Sequence, residues 1–103
     1  MITKKKSNAM KLLESLVGKL TFGGLIGAMR QAEEMSQVEF AKKLGISKQH
    51  LCDIEKGRKF VSPERAARFA KILRHSEQSF VALALQDIVN QGELKLKVSV
   101  EAV

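Results

Sequence analysis

The segment KQHLCDIEK, residues 48–56, carries polar side chains at the spacing of one helix face. If Leu51 and Ile54 turn inward, a rotation of about 100° per residue directs the polar residues away from the core. This outward set consists of Gln49, Cys52, Asp53 and Lys56, with Lys48 and His50 on its flanks. In the DNA major groove, lysine binds the acceptors of guanine and glutamine pairs with adenine. We therefore expect this helix to contact DNA.

A second short helix is predicted just before this one. Ser36 and Glu39 have the spacing of a capping box, Gly45 can end the helix in a left-handed conformation, and Ser47 can cap the next helix. The apolar residues of the two helices recur at spacings of three and four and face a common core: Val38, Phe40, Ala41, Leu44, Leu51 and Ile54. The pattern favours a helix-turn-helix, and the alternative is a helical hairpin in a small bundle.

The same stretch resembles a known family. The matching residues are Gln37, Glu39-Phe40-Ala41, Leu44-Gly45-Ile46-Ser47, Leu51, Ile54-Glu55 and Gly57-Arg58, with Arg30 before them and Ser62-Pro63 to Leu73 after them. In these positions the chain is similar to the Xre, or Cro/CI-type, helix-turn-helix family of phage repressors, small bacterial regulators and antitoxins. The resemblance implies a lambda-repressor-like bundle of five helices and binding to double-stranded DNA.

The resemblance also implies roles for individual residues. Lys48 and Gln49 stand at positions that usually reach base edges, and Cys52 and Asp53 are further candidates for base contact. Asp53 is a departure, since many relatives have a neutral polar residue at this position. A carboxylate can accept from the amino group of cytosine, but it also repels phosphate. The residues expected to contact phosphate are Gln37, His50, Lys56, Arg58, Lys59 and Arg65.

Arg30 has a structural role in this interpretation. In the family, an arginine at this point pairs with a glutamate late in the second motif helix, and Glu55 stands at the matching position. A partly buried, two-hydrogen-bond pair would fix the first helix on the third. The alternative is a solvated arginine, which contributes little to stability.

Four segments follow from the pattern along the chain. Residues 1–9 are expected to be a disordered basic tail, residues 10–20 a short amphipathic helix, residues 21–92 the helix-turn-helix domain, and residues 93–103 a strand. Within the domain, helices are predicted over 21–34, 37–44, 47–56, 63–73 and 76–91. The fold class is therefore all-α, with one strand at the end.

The strand prediction comes from residues that alternate between apolar and polar. The apolar set is Leu94, Leu96, Val98 and Val100. Alternation with a period of two is typical of a half-buried strand, and a lone strand needs a partner for its backbone. We expect this strand to pair with its copy in a homodimer, or with the sheet edge of a toxin protein.

Charge and composition set further limits. The chain of 103 residues has 18 Lys and Arg against 11 Asp and Glu, a net charge of +7 that suits a polyanionic partner. Its longest uncharged run, Leu20 to Met29, is too short for a membrane span, so a cytoplasmic protein is expected.

We expect no enzyme, metal or cofactor. The sequence has no Ser/His/Asp arrangement, glycine-rich phosphate loop or paired-carboxylate cleft. Cys52 is the only cysteine, and His50 and His75 lie far apart in the sequence. The sequence therefore favours a dimeric transcriptional regulator, most simply a repressor. The alternative is an antitoxin that binds a toxin and regulates its own operon.

Overall fold

The structure, a computed structural model, describes residues 20–103. This part of the chain contains five α-helices and no β-strand. The helices are α1 (Phe22–Ala32), α2 (Gln37–Leu44), α3 (Lys48–Glu55), α4 (Pro63–Leu73) and α5 (Glu77–Gln91). The predicted all-α class and the five helices of the bundle are confirmed for the described residues. The predicted tail, residues 1–9, and almost all of the predicted helix 10–20 lie outside them.

A hydroxyl side chain caps the start of every one of these five helices. Each hydroxyl accepts a hydrogen bond from the backbone N–H three residues later, which satisfies an amide that has no partner inside the helix. The capping residues are Thr21, Ser36, Ser47, Ser62 and Ser76. At α2 the capping box is complete, because Glu39 accepts in return from the backbone of Ser36 at 3.0 Å. Helix starts in this domain therefore follow from local sequence.

The core is built around aromatic residues. Phe22, at the start of α1, lies 6.5 Å from the ring of Phe69 and 5.6 Å from the ring of Phe80, measured between centroids. The largest fully buried side chains are Phe22, Phe40, Phe69, Ile26, Leu51 and Ile54. These residues lie on α1, α2, α3 and α4, and the buried Phe80 lies on α5. One shared core thus fixes the orientation of all five helices.

One predicted core residue lies at the surface instead. Val38 on α2 is 55% exposed, so its predicted place in the core is wrong. Val38 and the fully buried Phe40 are two residues apart and face nearly opposite sides of the helix. On α5, Phe80 and Ala84 are the buried residues, whereas Ile88 is 43% exposed.

Helix α5 also holds the start of α1. The carboxylate of Asp87 accepts a hydrogen bond of 2.9 Å from the backbone N–H of Phe22. Burial raises the pKa of Asp87, while the hydrogen bond from Phe22 acts in the opposite direction. A carboxylate at the positive end of a helix is a favourable arrangement. This contact joins the first and last helices of the bundle.

The predicted strand over residues 93–103 is wrong for the described chain. Residues 95–103 form no regular element, and the carboxamide of Gln86 holds part of them against α5. Gln86 donates to the carbonyl of Leu96 at 2.8 Å and accepts from the N–H of Val98 at 2.7 Å. A strand needs a backbone partner along its length, whereas a side-chain amide satisfies only two groups. Val98 and Val100 are half-buried, and Leu94 and Leu96 are exposed.

None of the helices α1 to α5 has the length and apolar character that a membrane span requires.

Candidate nucleic-acid interface

The turn between α2 and α3 sets the position of the predicted DNA-contact helix. Gly45 follows α2 with φ of 73°, and the N–H groups of Gly45 and Ile46 close the helix on the carbonyls of Lys42 and Ala41. Only glycine adopts this left-handed conformation without a Cβ penalty. Ser47 then caps α3. The two helices are thus joined by a turn with a defined geometry, as a helix-turn-helix requires.

An ion pair between Arg30 and Glu55 joins α1 to the end of α3. Arg30 donates to the two carboxylate oxygens of Glu55 at 2.9 and 3.0 Å, and to the carbonyl of Met35 at 3.0 Å. The side chains of Arg30 and Glu55 are 16% and 11% exposed. The hydrogen bonds that Arg30 donates to Glu55 raise the pKa of Arg30, which keeps the guanidinium charged. Gln37 also donates to Glu55, at 3.4 Å, which places this predicted phosphate contact beside the pair.

The amino-terminal end of α3 is open to solvent. Lys48 and Gln49 are both exposed, while Leu51 is fully buried. The predicted inward residues, Leu51 and Ile54, are buried, whereas of the residues predicted to face outward Gln49 and Lys56 are exposed and Cys52 and Asp53 are half-buried. Cys52 is half-buried, and its sulfur lies 3.7 Å from a terminal nitrogen of Arg58. Of the four predicted base contacts, Lys48 and Gln49 are the most accessible.

Asp53, the fourth predicted base contact, lies at the centre of a charged cluster. Its carboxylate accepts from Gln49 at 3.1 Å and forms ion pairs with Arg58 at 3.2 Å and Lys59 at 3.6 Å. The Asp53 side chain is 13% exposed, whereas Arg58 and Lys59 are 54% and 61% exposed. A direct contact between Asp53 and a base would require this carboxylate to leave its partners. The structure brings Gln49, Asp53, Arg58 and Lys59 together.

The basic segment after α3, residues 57–59, folds back onto that helix because of Gly57. With φ of 74° at Gly57, the N–H of Arg58 reaches the carbonyl of Asp53 at 2.8 Å and the N–H of Gly57 reaches Ile54 at 3.0 Å. These two hydrogen bonds satisfy carbonyls at the end of the helix. They also place the side chains of Arg58 and Lys59 beside the outward face of α3. Lys56 is exposed at the same end.

His50 and Arg65 form a second polar contact at the interface. A terminal nitrogen of Arg65, on α4, lies 3.2 and 3.1 Å from the two ring nitrogens of His50. Because arginine only donates, the imidazole must be neutral to accept its hydrogen bond. Burial lowers the pKa of His50, the positive charges of Arg65 and Lys59 lower it further, and Asp53 opposes them. Neutral His50 thus positions Arg65 next to α3.

A groove continues this surface toward α4. It has a volume of about 350 Å³ and is lined by Phe60, Ser62, Glu64, Arg65 and Arg68. Two arginines on one wall suit a phosphate chain, which arginine binds through paired hydrogen bonds. Within residues 20–103, no group of three or more His, Cys, Asp or Glu is arranged to hold a metal ion.

Comparison with known proteins identifies this arrangement. A family model described as "Helix-turn-helix domain" matches residues 21–82, which include α1 to α4 and the first part of α5. The chain is also similar to the "ImmF control region 10 kDa protein" of Bacillus phage phi105. The two are 34% identical over 70 residues, which cover 68% of this chain and 77% of the relative. No solved structure matches the chain. The chain belongs to the helix-turn-helix family of DNA-binding regulators, of the Xre or Cro type that its sequence resembles.

Proposed function

We propose that the protein is a dimeric transcriptional repressor that binds a specific sequence in double-stranded DNA. The observation that carries this proposal is the exposed amino-terminal end of α3, where Lys48 and Gln49 project beside a cluster of positive charge. The relative from phage phi105 is named as a control-region protein, which is consistent with regulation of genes. A small domain of this kind can repress by occupying a promoter, without catalysis.

In this proposal, α3 lies in the major groove. Lys48 and Gln49 contact base edges, because they are exposed and stand at the end of α3 that leads into the groove. Cys52, one turn later, faces the same side and can pack against a thymine methyl group. These contacts supply sequence preference.

The phosphate contacts flank α3 on both sides. On one side are Lys56, Arg58, Lys59 and Arg65, with His50 supporting Arg65. On the other side is the start of α2, where Gln37, beside the Arg30–Glu55 pair, stands at a positive helix end. Contacts with phosphate set affinity and register, whereas base contacts set preference. Each neutralised phosphate adds about 0.9 to the slope of log affinity against log salt.

Dimerisation would place two copies of α3 on successive half-sites of one DNA face, about 34 Å apart. A two-fold dimer uses one surface patch on both subunits. The exposed apolar residues Ile88, Leu94 and Leu96, at the end of α5 and in the following segment, are the proposed patch. They lie outside residues 21–82, the part that the family model matches, so this segment is additional to the DNA-binding unit.

A second candidate function is that of an antitoxin, and the same apolar segment favours it. Two leucines that are 54% and 62% exposed, Leu94 and Leu96, suit a protein partner better than solvent. In this alternative a toxin covers the segment, and DNA binding regulates the operon that encodes both proteins. Light scattering on the full chain separates the alternatives. A dimer that becomes monomeric on deletion of residues 93–103 supports self-association through this segment, whereas a truncated protein that remains dimeric contradicts it and favours a partner protein.

Selection from a random pool of duplexes tests the main proposal. The expected result is an enriched motif with two-fold symmetry, bound more weakly as salt increases. Enrichment of no motif, with equal affinity for all duplexes, would contradict sequence-specific regulation.

A further inference from the structure

Gln49 is held in one orientation by its neighbour one turn later on α3. The nitrogen of its side-chain amide, Nε2, lies 3.1 Å from the Oδ1 atom of Asp53. A carboxylate only accepts hydrogen bonds, so the donor end of the amide must face Asp53. The acceptor end, Oε1, is then directed away from Asp53. In an exposed glutamine without such a partner, the two ends exchange freely.

The carboxylate of Asp53 is itself fixed in place. Arg58 and Lys59 bind it at 3.2 and 3.6 Å, and the backbone carbonyl of Asp53 accepts from the N–H of Arg58 at 2.8 Å. With its side chain 13% exposed, Asp53 has little freedom to turn toward DNA. The negative charge is surrounded by donors and serves as an internal partner.

We propose that Asp53 is a positioning residue that sets base preference through Gln49, without touching DNA itself. This inference rests on the proposed function, binding of double-stranded DNA through α3. With one Nε2 hydrogen used by Asp53, Gln49 presents Oε1 and its remaining N–H to the groove. That pair matches adenine, which offers an amino donor beside the N7 acceptor. Guanine offers two acceptors, O6 and N7, and its O6 atom would face the Oε1 atom of Gln49. Asp53 thus favours adenine over guanine at one base pair.

Asp53→Asn is the sharpest test, because asparagine keeps the size of the side chain and can either donate or accept. In this variant the Gln49 amide can turn. Discrimination between adenine and guanine at the base pair that Gln49 contacts should therefore fall by about fivefold or more, where fivefold is the smallest effect expected for loss of a paired base contact. The variant removes one negative charge, so its affinity for all duplexes should increase. The ratio of affinities for the two bases separates the two effects.

Gln49→Ala identifies the base pair concerned, and the double variant completes the cycle. If Asp53 acts through Gln49, Asp53→Asn changes no base preference in the Gln49→Ala background. Glu33→Gln is the matched control, since it also converts a carboxylate to an amide but at an exposed residue outside the proposed DNA contacts, and it should leave the adenine-to-guanine ratio unchanged. Thermal unfolding of each variant shows that the domain remains folded.

The orientation can also be measured without DNA. In the nuclear magnetic resonance spectrum of the free protein, one of the two side-chain amide protons of Gln49 should be shifted downfield by the carboxylate. The shift should disappear in Asp53→Asn. Identical Gln49 amide signals in both proteins, or an unchanged adenine-to-guanine ratio, would overturn the inference. If the wild-type protein shows no base preference but its Gln49 amide proton is shifted, the hydrogen bond between Gln49 and Asp53 exists. The proposed sequence-specific function, and with it the role of Asp53 in base preference, would then be overturned.

Discussion

The carbonyl oxygen of Ile54 occupies the space in which a side chain at residue 23 would lie. A Cβ atom built on Gly23 would be 1.9 Å from that oxygen. Helix α1 therefore contacts the end of α3 through backbone atoms, and Gly23 is what allows this approach. Since α3 is the proposed DNA-contact helix, the fit of α1 against it determines how α3 is presented.

Gly23→Ala should destabilise the domain by about 1–3 kcal/mol, the usual cost of overfilling a packed site, because neither backbone can move away without disturbing the core. Gly27→Ala is the matched control on the same helix. Its Cβ would meet Glu55 Oε1 at 3.5 Å, an ordinary contact, and alanine raises helix propensity by up to about 1 kcal/mol. Urea denaturation measures both. Equal stability of the two variants would contradict the close packing of α1 on α3.

Arg30→Ala should lower the free energy of unfolding by about 2 kcal/mol, because within residues 20–103 it leaves the Glu55 carboxylate with only Gln37 as a side-chain partner. Arg30→Lys should recover only part of this, since lysine cannot form the paired hydrogen bonds. The Lys43–Glu33 pair is the control, with side chains 37% and 38% exposed, and Lys43→Ala should cost less than about 1 kcal/mol. If both alanine variants melt alike, the Arg30–Glu55 pair does not stabilise the fold.

Replacement of Glu34 should increase stability. Glu34 follows α1 with φ of 55°, a conformation that costs a side chain about 1–2 kcal/mol, and its negative charge lies at the carbonyl end of the helix. Glu34→Gly removes both penalties. Gly45→Ala makes the opposite change at the end of α2, where a Cβ would meet nothing within 4 Å among the described residues, so the expected cost is conformational. Thermal melting should shift upward for Glu34→Gly and downward for Gly45→Ala; shifts of the same sign would contradict this account.

Acid should weaken the fold through His50. The pKa of His50 is lowered from its ordinary value of 6.5 by burial and by the charges of Arg65 and Lys59. Just below pH 6.5 the folded protein therefore binds fewer protons than the unfolded chain, and stability falls as the pH decreases through this range. His50→Gln keeps an acceptor for Arg65 and should remove this part of the pH dependence.

His75 provides the control, because it is exposed and lies away from the interface, stacked on Phe80. His75→Gln should leave the loss caused by His50 in place. Denaturation series at several pH values, with all three proteins, measure the difference. A His50→Gln variant as sensitive to acid as the wild type would show that another group is responsible.

The parts of the fold that depend on neighbouring residues could be predicted from the sequence. The capping box of Ser36 and Glu39 and the left-handed turn at Gly45 are properties of a few consecutive residues. Gly23 was different. The residues next to Gly23 in sequence suggest only a weak helix. Glycine is needed at this position because the backbone of Ile54, in a distant part of the sequence, packs against it. The same limit applies to Val38, whose exposure depends on which side of α2 meets the core.

The candidate site shows the same division. The outward positions of Lys48 and Gln49 followed from helix periodicity, and the Arg30–Glu55 contact followed from the resemblance to a family. The ion pairs of Asp53 could not be predicted in this way, because Arg58 and Lys59 reach its carboxylate only after the turn at Gly57 directs the chain back toward α3. The spacing of four between Gln49 and Asp53 was visible as a signal for a contact on one helix face. The alternation in residues 94–100 could not show that Gln86 would be their partner.

The most direct measurement compares Gln49→Ala with Lys59→Ala on the selected duplex and on its single-base variants. Gln49→Ala should lose about 1–3 kcal/mol of discrimination at one base pair, because a base contact is removed. Lys59→Ala should weaken binding to every duplex alike and reduce the salt slope by about 1, because a phosphate contact carries no sequence information. The same uniform loss of affinity in both variants, with base preference intact, would contradict the placement of α3 in the major groove.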